Sequence, residues 1–242
     1  MKKEDWQKKG AGHRQRLRDK FLEQGIDSFS DEEIIELLLT LGTPRKDCKE
    51  PAREALKSFG SLAAVLEADQ KKLARIKGIG PNNCFSIHFV HQVARRYLKK
   101  RLISRSYLHS SREVGEYLIH TMRDLGHEAF IALFLDAGHA VIAVESVAEG
   151  TITANTIYPR ELIKRALHHN AAAMIIAHNH PSGRRQPSKA DINLTEQLYQ
   201  ACNFMHIQLL DHLIVGGSQA PYSFADNGRM QQIRDKHQNH SI

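Results

Sequence analysis

Long apolar runs are missing from this chain of 242 residues. Its longest hydrophobic stretches, such as residues 171–177, match the length of a core strand, whereas a helix that crosses a bilayer needs roughly 18 apolar residues. The chain begins with the polar residues Met1 to Asp5 and lacks the apolar centre of a signal peptide. We therefore expect a cytoplasmic protein with no membrane partner.

Cysteine is scarce as well. The three cysteines, Cys48, Cys84 and Cys202, lie far apart, and no two of them form a Cys-x-x-Cys pair. An odd and dispersed set argues against a disulfide framework and against a cysteine-rich zinc site. It also disfavours a zinc deaminase, because that class of enzyme carries a Pro-Cys-x-x-Cys segment.

The first half of the chain has too few acidic residues to balance its basic ones. Residues 1–105 contain 23 Lys and Arg against 14 Asp and Glu, whereas residues 106–242 contain 11 against 13. This uneven charge indicates two units with different partners, and the basic one is the candidate for binding phosphate backbones. The alternative is that its lysines and arginines only solvate helix surfaces.

Helical patterns run through the first half. Ser28 or Ser30 is placed to cap a helix that opens with Asp31. The basic, unpatterned residues 99–105 are interpreted as a linker. We therefore predict an all-helical N-terminal domain over residues 1–102. Its further helices are expected at residues 13–23, 50–58, 61–67 and 81–100.

The pattern changes near Ser111. Short β-rich runs alternate with helical segments, which is typical of a compact α/β domain. We expect this domain over residues 106–228, followed by a C-terminal tail at 229–242, so that the chain is an α+β protein of two domains. Strands are predicted at 129–135, 140–147, 171–177 and 207–215, and helices at 112–125, 159–169 and 188–204.

A glycine-rich turn lies between two helical patterns at residues 76–81. Gly78 and Gly80 permit a tight turn and leave backbone N–H groups unshielded, which can hold a phosphate where the turn opens a helix. The segment resembles a helix-hairpin-helix motif, which grips the DNA backbone without reading sequence, and Lys77 adds positive charge. We predict non-specific DNA binding through residues 1–102. A simple turn or a protein contact is the alternative.

Three side chains near a second turn have the spacing of metal ligands. His178 and His180 are alternate residues after a predicted strand, so their imidazoles point the same way, and Asp191 opens the next helix. Two imidazoles and one carboxylate suit Zn²⁺ and leave a fourth position for water, whose pKa falls toward roughly 7. A bare His-x-His is expected roughly once by chance in a chain so rich in histidine, so the prediction depends on the whole string.

The whole string matches the metal-binding signature of JAMM (MPN-type) metalloproteases: His-x-His, seven residues, Ser188, two residues, Asp191. Together with other motifs, it resembles the bacterial RadC family over residues 10–228. The resemblance implies two domains: first one that contains a helix-hairpin-helix, then a JAMM/MPN domain. The JAMM/MPN domain is expected to have a cytidine-deaminase-like α/β fold, with a mixed sheet flanked by helices. The other motifs are Gly12–Arg18, Pro44–Asp47, Phe59–Leu62, Lys77–Gly80, Gly150–Thr151, Pro159–Glu161, His169–Ala173 and Asp211–Gly216.

The resemblance also implies catalytic residues. A glutamate on an earlier strand acts as general base in JAMM peptidases, and Glu128 is the matching position here. Glu145, Glu149 and Glu161 remain alternatives on sequence alone. Ser188 matches the family serine that hydrogen-bonds to the oxyanion, although it could equally serve as a helix cap.

Two features near these residues stay open. Asn179 stands where characterised JAMM peptidases commonly carry Ser or Thr, which leaves the substrate class undecided. His212 is interpreted either as support for a metal ligand or as a buried core histidine, and it is not included in the predicted site.

Two functional hypotheses follow. The first is a zinc-dependent JAMM-type hydrolase that cleaves a peptide, isopeptide or related amide bond. The second is a DNA repair or recombination accessory protein, which binds DNA through its N-terminal domain and uses the metal site structurally.

Overall fold

A computed structural model of the chain describes residues 4–43, 46–103, 107–150 and 157–238. Within these residues, the first part of the chain, up to residue 102, contains helices and no strand. The predicted all-helical N-terminal region is confirmed. Of the two predicted caps for the helix that opens with Asp31, Ser30 is the one used: its hydroxyl accepts the Glu33 N–H, and the Glu33 carboxylate accepts the Ser30 N–H. The helices are α1 (Glu4–Gln24), α2 (Asp31–Gly42), α3 (Lys49–Phe59), α4 (Leu62–Glu67), α5 (Gln70–Leu73) and α6 (Pro81–Leu102).

The chain divides into two units, Met1–Ala94 and Arg95–Ile242. The boundary lies inside α6, earlier than residue 102, where the N-terminal domain was expected to end. Residues 99–102 of the predicted linker are helical, and this part of the linker prediction is wrong. The reason is that Leu98 and Leu102 pack into an apolar cluster of the second unit, so the helical periodicity continues past the basic residues.

The second unit is built on a five-stranded mixed sheet with the order β2-β1-β3-β4-β5. Neighbouring strands are antiparallel except for β3 and β4, which are parallel. The strands are β1 (Glu128–Leu135), β2 (Val141–Gly150), β3 (Ala173–Asn179), β4 (Gln208–Val215) and β5 (Tyr222–Ser223), and the helices are α7 (Tyr107–Met122), α8 (Pro159–His168), α9 (Lys189–Phe204) and α10 (Arg229–Gln238).

Helices cover both faces of this sheet. Alternate residues of β1 point to opposite faces: Phe130 and Phe134 pack against α8 and α9 on one side, whereas Ile131 and Leu133 pack against α7 on the other. Burial on both faces explains why β1 is an almost continuous apolar run rather than an alternating one. The predicted mixed sheet flanked by helices is confirmed.

Strand β3 is longer at its end than predicted. It was expected to stop at residue 177, but it continues through His178 and Asn179. Pairing with β4 extends this far, because His178 lies opposite Ile214 and Asn179 lies opposite Val215. The first histidine of the His-x-His pair is therefore part of a central strand.

The predicted C-terminal tail contains α10, which belongs to the core of the second unit. Met230 and Ile233 are buried in the same apolar cluster as Phe130 and α9. Residues 239–242 lie outside the described residues. No helix in the described ranges is both long enough and apolar enough to cross a membrane.

Shortening the Met230 side chain tests whether α10 stabilises the second unit. Because Met230 is 1% exposed, we expect Met230→Ala to lower the free energy of unfolding by about 2–5 kcal/mol. Urea unfolding followed by circular dichroism measures this change, with Gln232→Ala on the exposed side of the same helix as the control. Equal stability of the two variants would mean that residues 229–238 lie outside the folded core.

Candidate metal centre

The two histidines are held by the end of the sheet. His178 lies in β3, between Phe130 of β1 and Ile214 of β4. His180 follows the strand, and its N–H donates to the Val215 carbonyl oxygen at 2.9 Å, which continues the pairing with β4. Since the backbone stays extended across residues 178–180, both imidazoles lie on the same side of the chain.

Asp191 reaches the histidines from the first turn of α9. Ser188 is the N-cap: its Oγ accepts the Asp191 N–H at 3.2 Å, while Asp191 Oδ2 accepts the Ser188 N–H at 2.7 Å. This reciprocal capping box fixes the orientation of the carboxylate. Asp191 Oδ1 then lies 3.2 Å from His178 Nε2, and Asp191 Oδ2 lies 3.5 Å from His180 Nε2.

The three predicted ligand residues therefore come together. The two Nε2 atoms are 2.9 Å apart, and all three ligand atoms lie within 4.8 Å of one another. His178 and Asp191 are buried, and His180 is partly buried. The group can hold a metal ion.

The loop after β3 orients His180. His180 Nδ1 lies 2.8 Å from the Arg184 carbonyl oxygen, which can only accept, so Nδ1 carries the proton and Nε2 keeps its lone pair. Gly216 lets this loop approach β4 closely, since a Cβ at Gly216 would lie 2.7 Å from the Gly183 oxygen and 2.9 Å from the Arg184 carbonyl carbon.

A buried chain of hydrogen bonds orients His178. Thr195 Oγ1 donates to the Asp191 carbonyl oxygen at 2.6 Å, so it is free to accept from His212 Nδ1, 2.7 Å away. His212 Nε2 then lacks a proton and accepts from His178 Nδ1 at 2.8 Å. His178 Nε2 is left with its lone pair directed at the centre.

His212 and Thr195 are the site residues that sequence analysis missed. On sequence alone His212 is omitted from the predicted site, and Thr195 has no assigned role. Their signal was weak, because a histidine in an apolar strand and a threonine one turn after Asp191 are common core features. Only the parallel pairing of β3 and β4 brings His212 against His178.

The centre attracts positive charge. Burial alone would raise the pKa of the Asp191 carboxyl. Hydrogen bonds from His178 and His180, which form only while a proton occupies their Nε2 atoms, outweigh burial and hold this pKa well below its usual range. The Asp191 carboxylate in turn raises the pKa of His180. Burial lowers the pKa of His212 far below that of a free histidine, which keeps its ring neutral. Two imidazole lone pairs and a carboxylate repel one another unless a proton or a cation lies between them.

Glu128 lies beside this centre. It is the first residue of β1, and it lines a small recess together with His178 and Asp191. The volume of the recess is about 10 Å³, which is close to the space that one water molecule needs. Ile157 and Leu194 form part of its apolar wall.

Asn179 clamps the backbone on both sides of Glu128. Its side-chain amide donates to the His127 carbonyl oxygen at 3.0 Å, and its oxygen accepts the Ala129 N–H at 2.7 Å. The residue is 1% exposed, so both bonds are shielded from water. The Asn179 side chain, which has both a donor and an acceptor, therefore fixes the backbone at the start of β1, where Glu128 is the first residue.

Two of the glutamates that were alternatives to Glu128 as the general base are either paired with other side chains or exposed on a helix. Both carboxylate oxygens of Glu145 are engaged, one by Arg165 and the other by His169, each at 2.6 Å. Glu161 is exposed in the first turn of α8. The side chain of Glu149 lies outside the described residues.

The glycine-rich turn of the first unit has a defined geometry. Gly78 has a φ of 96°, and a Cβ there would lie 2.6 Å from Pro51 Cγ, so both the turn and the packing require glycine. The Gly80 N–H donates to Asn83 Oδ1 at 3.0 Å and is not free for a phosphate, contrary to the expectation of two unshielded amides. Lys77 is exposed.

Removing the Thr195 hydroxyl tests the chain that orients His178. Thr195→Val keeps the shape of the buried side chain but leaves His212 Nδ1 without its acceptor. We expect the affinity for Zn²⁺ or Co²⁺ to fall about 10- to 100-fold, as measured by competition with a chelator. Thr121→Val removes a hydroxyl that bonds in the same way to the Tyr117 carbonyl of α7. If both variants bind metal like the original chain, the hydrogen-bond chain does not orient His178.

Comparison with known proteins gives two family matches and close relatives. A model described as "RadC-like JAB domain" matches residues 108–229, and one described as "UPF0758 N-terminal" matches residues 9–85. A UPF0758 protein of Ralstonia pickettii is 41% identical over 89% of this chain and 96% of its own length. Those of Azotobacter vinelandii and Stutzerimonas stutzeri are 42% and 43% identical over 88% and 89% of this chain and 95% and 96% of their own lengths. The chain therefore belongs to the RadC family of UPF0758 proteins.

Proposed function

We propose that this protein is a zinc-dependent hydrolase of the JAMM type, which cleaves a peptide, isopeptide or related amide bond. The observation that carries the proposal is the convergence of His178, His180 and Asp191 with the Nδ1 atom of each histidine already hydrogen-bonded. Each imidazole thus presents its Nε2 lone pair to one shared point. A core that only satisfied its polar groups would not need two Nε2 lone pairs directed at the same point.

The donor set fits zinc. Nitrogen ligands bind zinc at about 2.0–2.1 Å in a tetrahedron, which places two ligand atoms about 3.3 Å apart. The two Nε2 atoms lie 2.9 Å apart, Asp191 Oδ1 lies 3.2 Å from His178 Nε2, and Asp191 Oδ2 lies 3.5 Å from His180 Nε2, all close to that value. Three protein ligands leave one coordination position open, as in catalytic zinc sites. When bound, zinc would polarise a substrate carbonyl and make a water molecule acidic near neutral pH.

Glu128 would be the general base. Glu128 lines a water-sized recess with two of the ligands, and its negative charge contributes to the raised pKa of His180. We infer that its carboxylate accepts the proton of an attacking water and later returns it to the leaving amine. Asn179 supports this role, because it holds the residues on either side of Glu128. The apolar wall of the recess strengthens the electrostatic interactions within it.

Ser188 would stabilise the oxyanion. Its Oγ accepts a hydrogen bond from the Asp191 N–H, which leaves the hydroxyl proton free to donate. The side chain is exposed at the N-terminus of α9, next to the ligands. A positioned donor of this kind is worth about 10²–10³ in turnover when the substrate carbonyl gains negative charge.

Replacing Glu128 separates metal binding from hydrolysis. We expect Glu128→Gln to retain the zinc content of the original chain but to lower cleavage of peptide-library substrates about 100-fold or more, because the base is lost. His178→Ala should lose the metal itself. Elemental analysis and the cleavage screen measure the two effects.

Glu161→Gln is the matched control, since this exposed glutamate lies on α8. Full activity of Glu128→Gln would contradict the assigned base. A chain that takes up clearly less than one zinc after reconstitution would contradict the hydrolase altogether.

A second candidate function is that of a DNA repair or recombination accessory protein, with the metal site serving structure. The glycine-rich turn favours it: Gly78 has the positive φ of a tight turn, and the exposed residues Lys71, Lys72, Arg75 and Lys77 precede it in the chain. These exposed cations can contact the phosphates of a nucleic acid.

Salt dependence tests this second function. We expect the full chain to bind duplex DNA with an affinity that falls as salt rises, because bound cations are released from the phosphates. Lys77→Ala should lower the affinity and reduce the slope of log K against log salt by about 1. Fluorescence anisotropy of a labelled duplex measures both, with exposed Lys236→Ala on α10 as the control. Binding that does not respond to salt would argue against a phosphate contact.

A further inference from the structure

The positive charge of this protein is concentrated in one segment. Residues 70–105 contain ten Lys or Arg and no Asp or Glu, whereas the rest of the chain has a small net negative charge. The segment covers the glycine-rich turn and the whole of α6 (Pro81–Leu102). Any partner that contacts α6 therefore meets a helix without a single acidic side chain.

The same helix exposes an aromatic stripe to solvent. Phe85 and Phe89 are 65% and 59% exposed, and their rings are stacked, with centroids 5.8 Å apart and an interplanar angle of 14°. Val93 and Tyr97 continue the stripe at four-residue spacing and are also exposed. Exposed apolar residues in a contiguous row mark a site of interaction, whereas single ones do not.

Two cations share the face of the stacked pair. Arg96 follows Phe89 by seven residues and Phe85 by eleven, and Lys100 follows Phe89 by eleven, spacings that return to the same side of a helix. Both side chains are exposed. Within the described part of the chain neither forms an ion pair, unlike Arg95 and Arg101 of the same helix.

We propose that this face of α6, formed by Phe85, Phe89, Arg96 and Lys100, binds single-stranded nucleic acid. Unpaired bases would stack on the two phenylalanine rings, and the two cations would neutralise the phosphates. An aromatic platform beside a strip of positive charge is the arrangement by which proteins hold single strands without reading their sequence. In a duplex the bases are already stacked on one another, so the rings favour the single strand.

Charge complementarity selects this occupant over a second copy of the chain. Two copies meeting through α6 would bring together two helices without Asp or Glu, so neither Arg96 nor Lys100 would find an acidic partner on the other α6. An uncharged protein surface would cover the rings but leave both cations unpaired. A strand of nucleotides supplies flat apolar groups and regular negative charges together.

The binding of a labelled oligothymidylate of about 20 nucleotides to the full chain tests the proposal. Because a stacked base contributes at least several-fold to affinity per ring, we expect Phe85→Ala/Phe89→Ala to weaken binding at least tenfold in fluorescence anisotropy. Binding of a duplex of equal length should change less than twofold. Phe85→Tyr/Phe89→Tyr, which keeps both rings, should restore the affinity for the single strand.

The matched control is Phe204→Ala, which removes an 86% exposed phenylalanine from α9. It should leave both affinities unchanged. Arg96→Gln/Lys100→Gln should weaken single-strand binding and reduce its salt dependence. Single-strand binding should be the same with added Zn²⁺ and with a chelator, so the result is independent of the proposed hydrolase.

Three results would overturn the proposal. The first is an oligothymidylate affinity that is the same with and without the two rings. The second is an equal loss for the single strand and the duplex, which would assign the effect to backbone contacts alone. The third is a ring-dependent dimer in sedimentation, or ring-dependent binding to anionic phospholipid vesicles, without single-strand binding.

Discussion

The pairing of β3 with strands on both sides is the constraint on which the rest of the candidate site depends. Antiparallel pairing with β1 sets Phe130 opposite His178 and brings Glu128 to the same end of the sheet. Parallel pairing with β4 brings His212 within hydrogen-bond distance of His178. A shift of one residue in either pairing would turn the His178 side chain to the other face of the sheet. The apolar residues that bury both faces therefore protect the site as well as the fold.

Several groups at the site have two tasks. The Ser188–Asp191 capping box begins α9, and it also fixes the carboxylate against the two imidazoles. Thr195 satisfies the Asp191 carbonyl within the helix and sets the tautomer of His212. Because these polar groups are buried, leaving any one of them unpaired would be costly. This coupling fixes His178 and Asp191 relative to each other although they come from two different elements.

Two parts of the chain present different chemistry. The centre in the second unit gathers donor atoms that need a cation, whereas the segment from the glycine-rich turn through α6 gathers cations and exposed rings. A metal-dependent activity and a nucleic-acid partner are therefore compatible in one chain. The family label alone does not distinguish them, since the relatives are named only as UPF0758 proteins.

Short-range patterns were enough to predict much of this protein. Backbone geometry within a few residues determines the alternation of His178 and His180, the cap at Ser188 and the helical periods. Such local geometry can be predicted from the spacing of residues in the sequence. Glu128 came from family resemblance rather than from its own surroundings. His212, the clamp formed by Asn179 and the burial of α10 depended on the tertiary structure. They arise from contacts between residues far apart in the chain, where strand register and packing, rather than local spacing, decide which side chains meet.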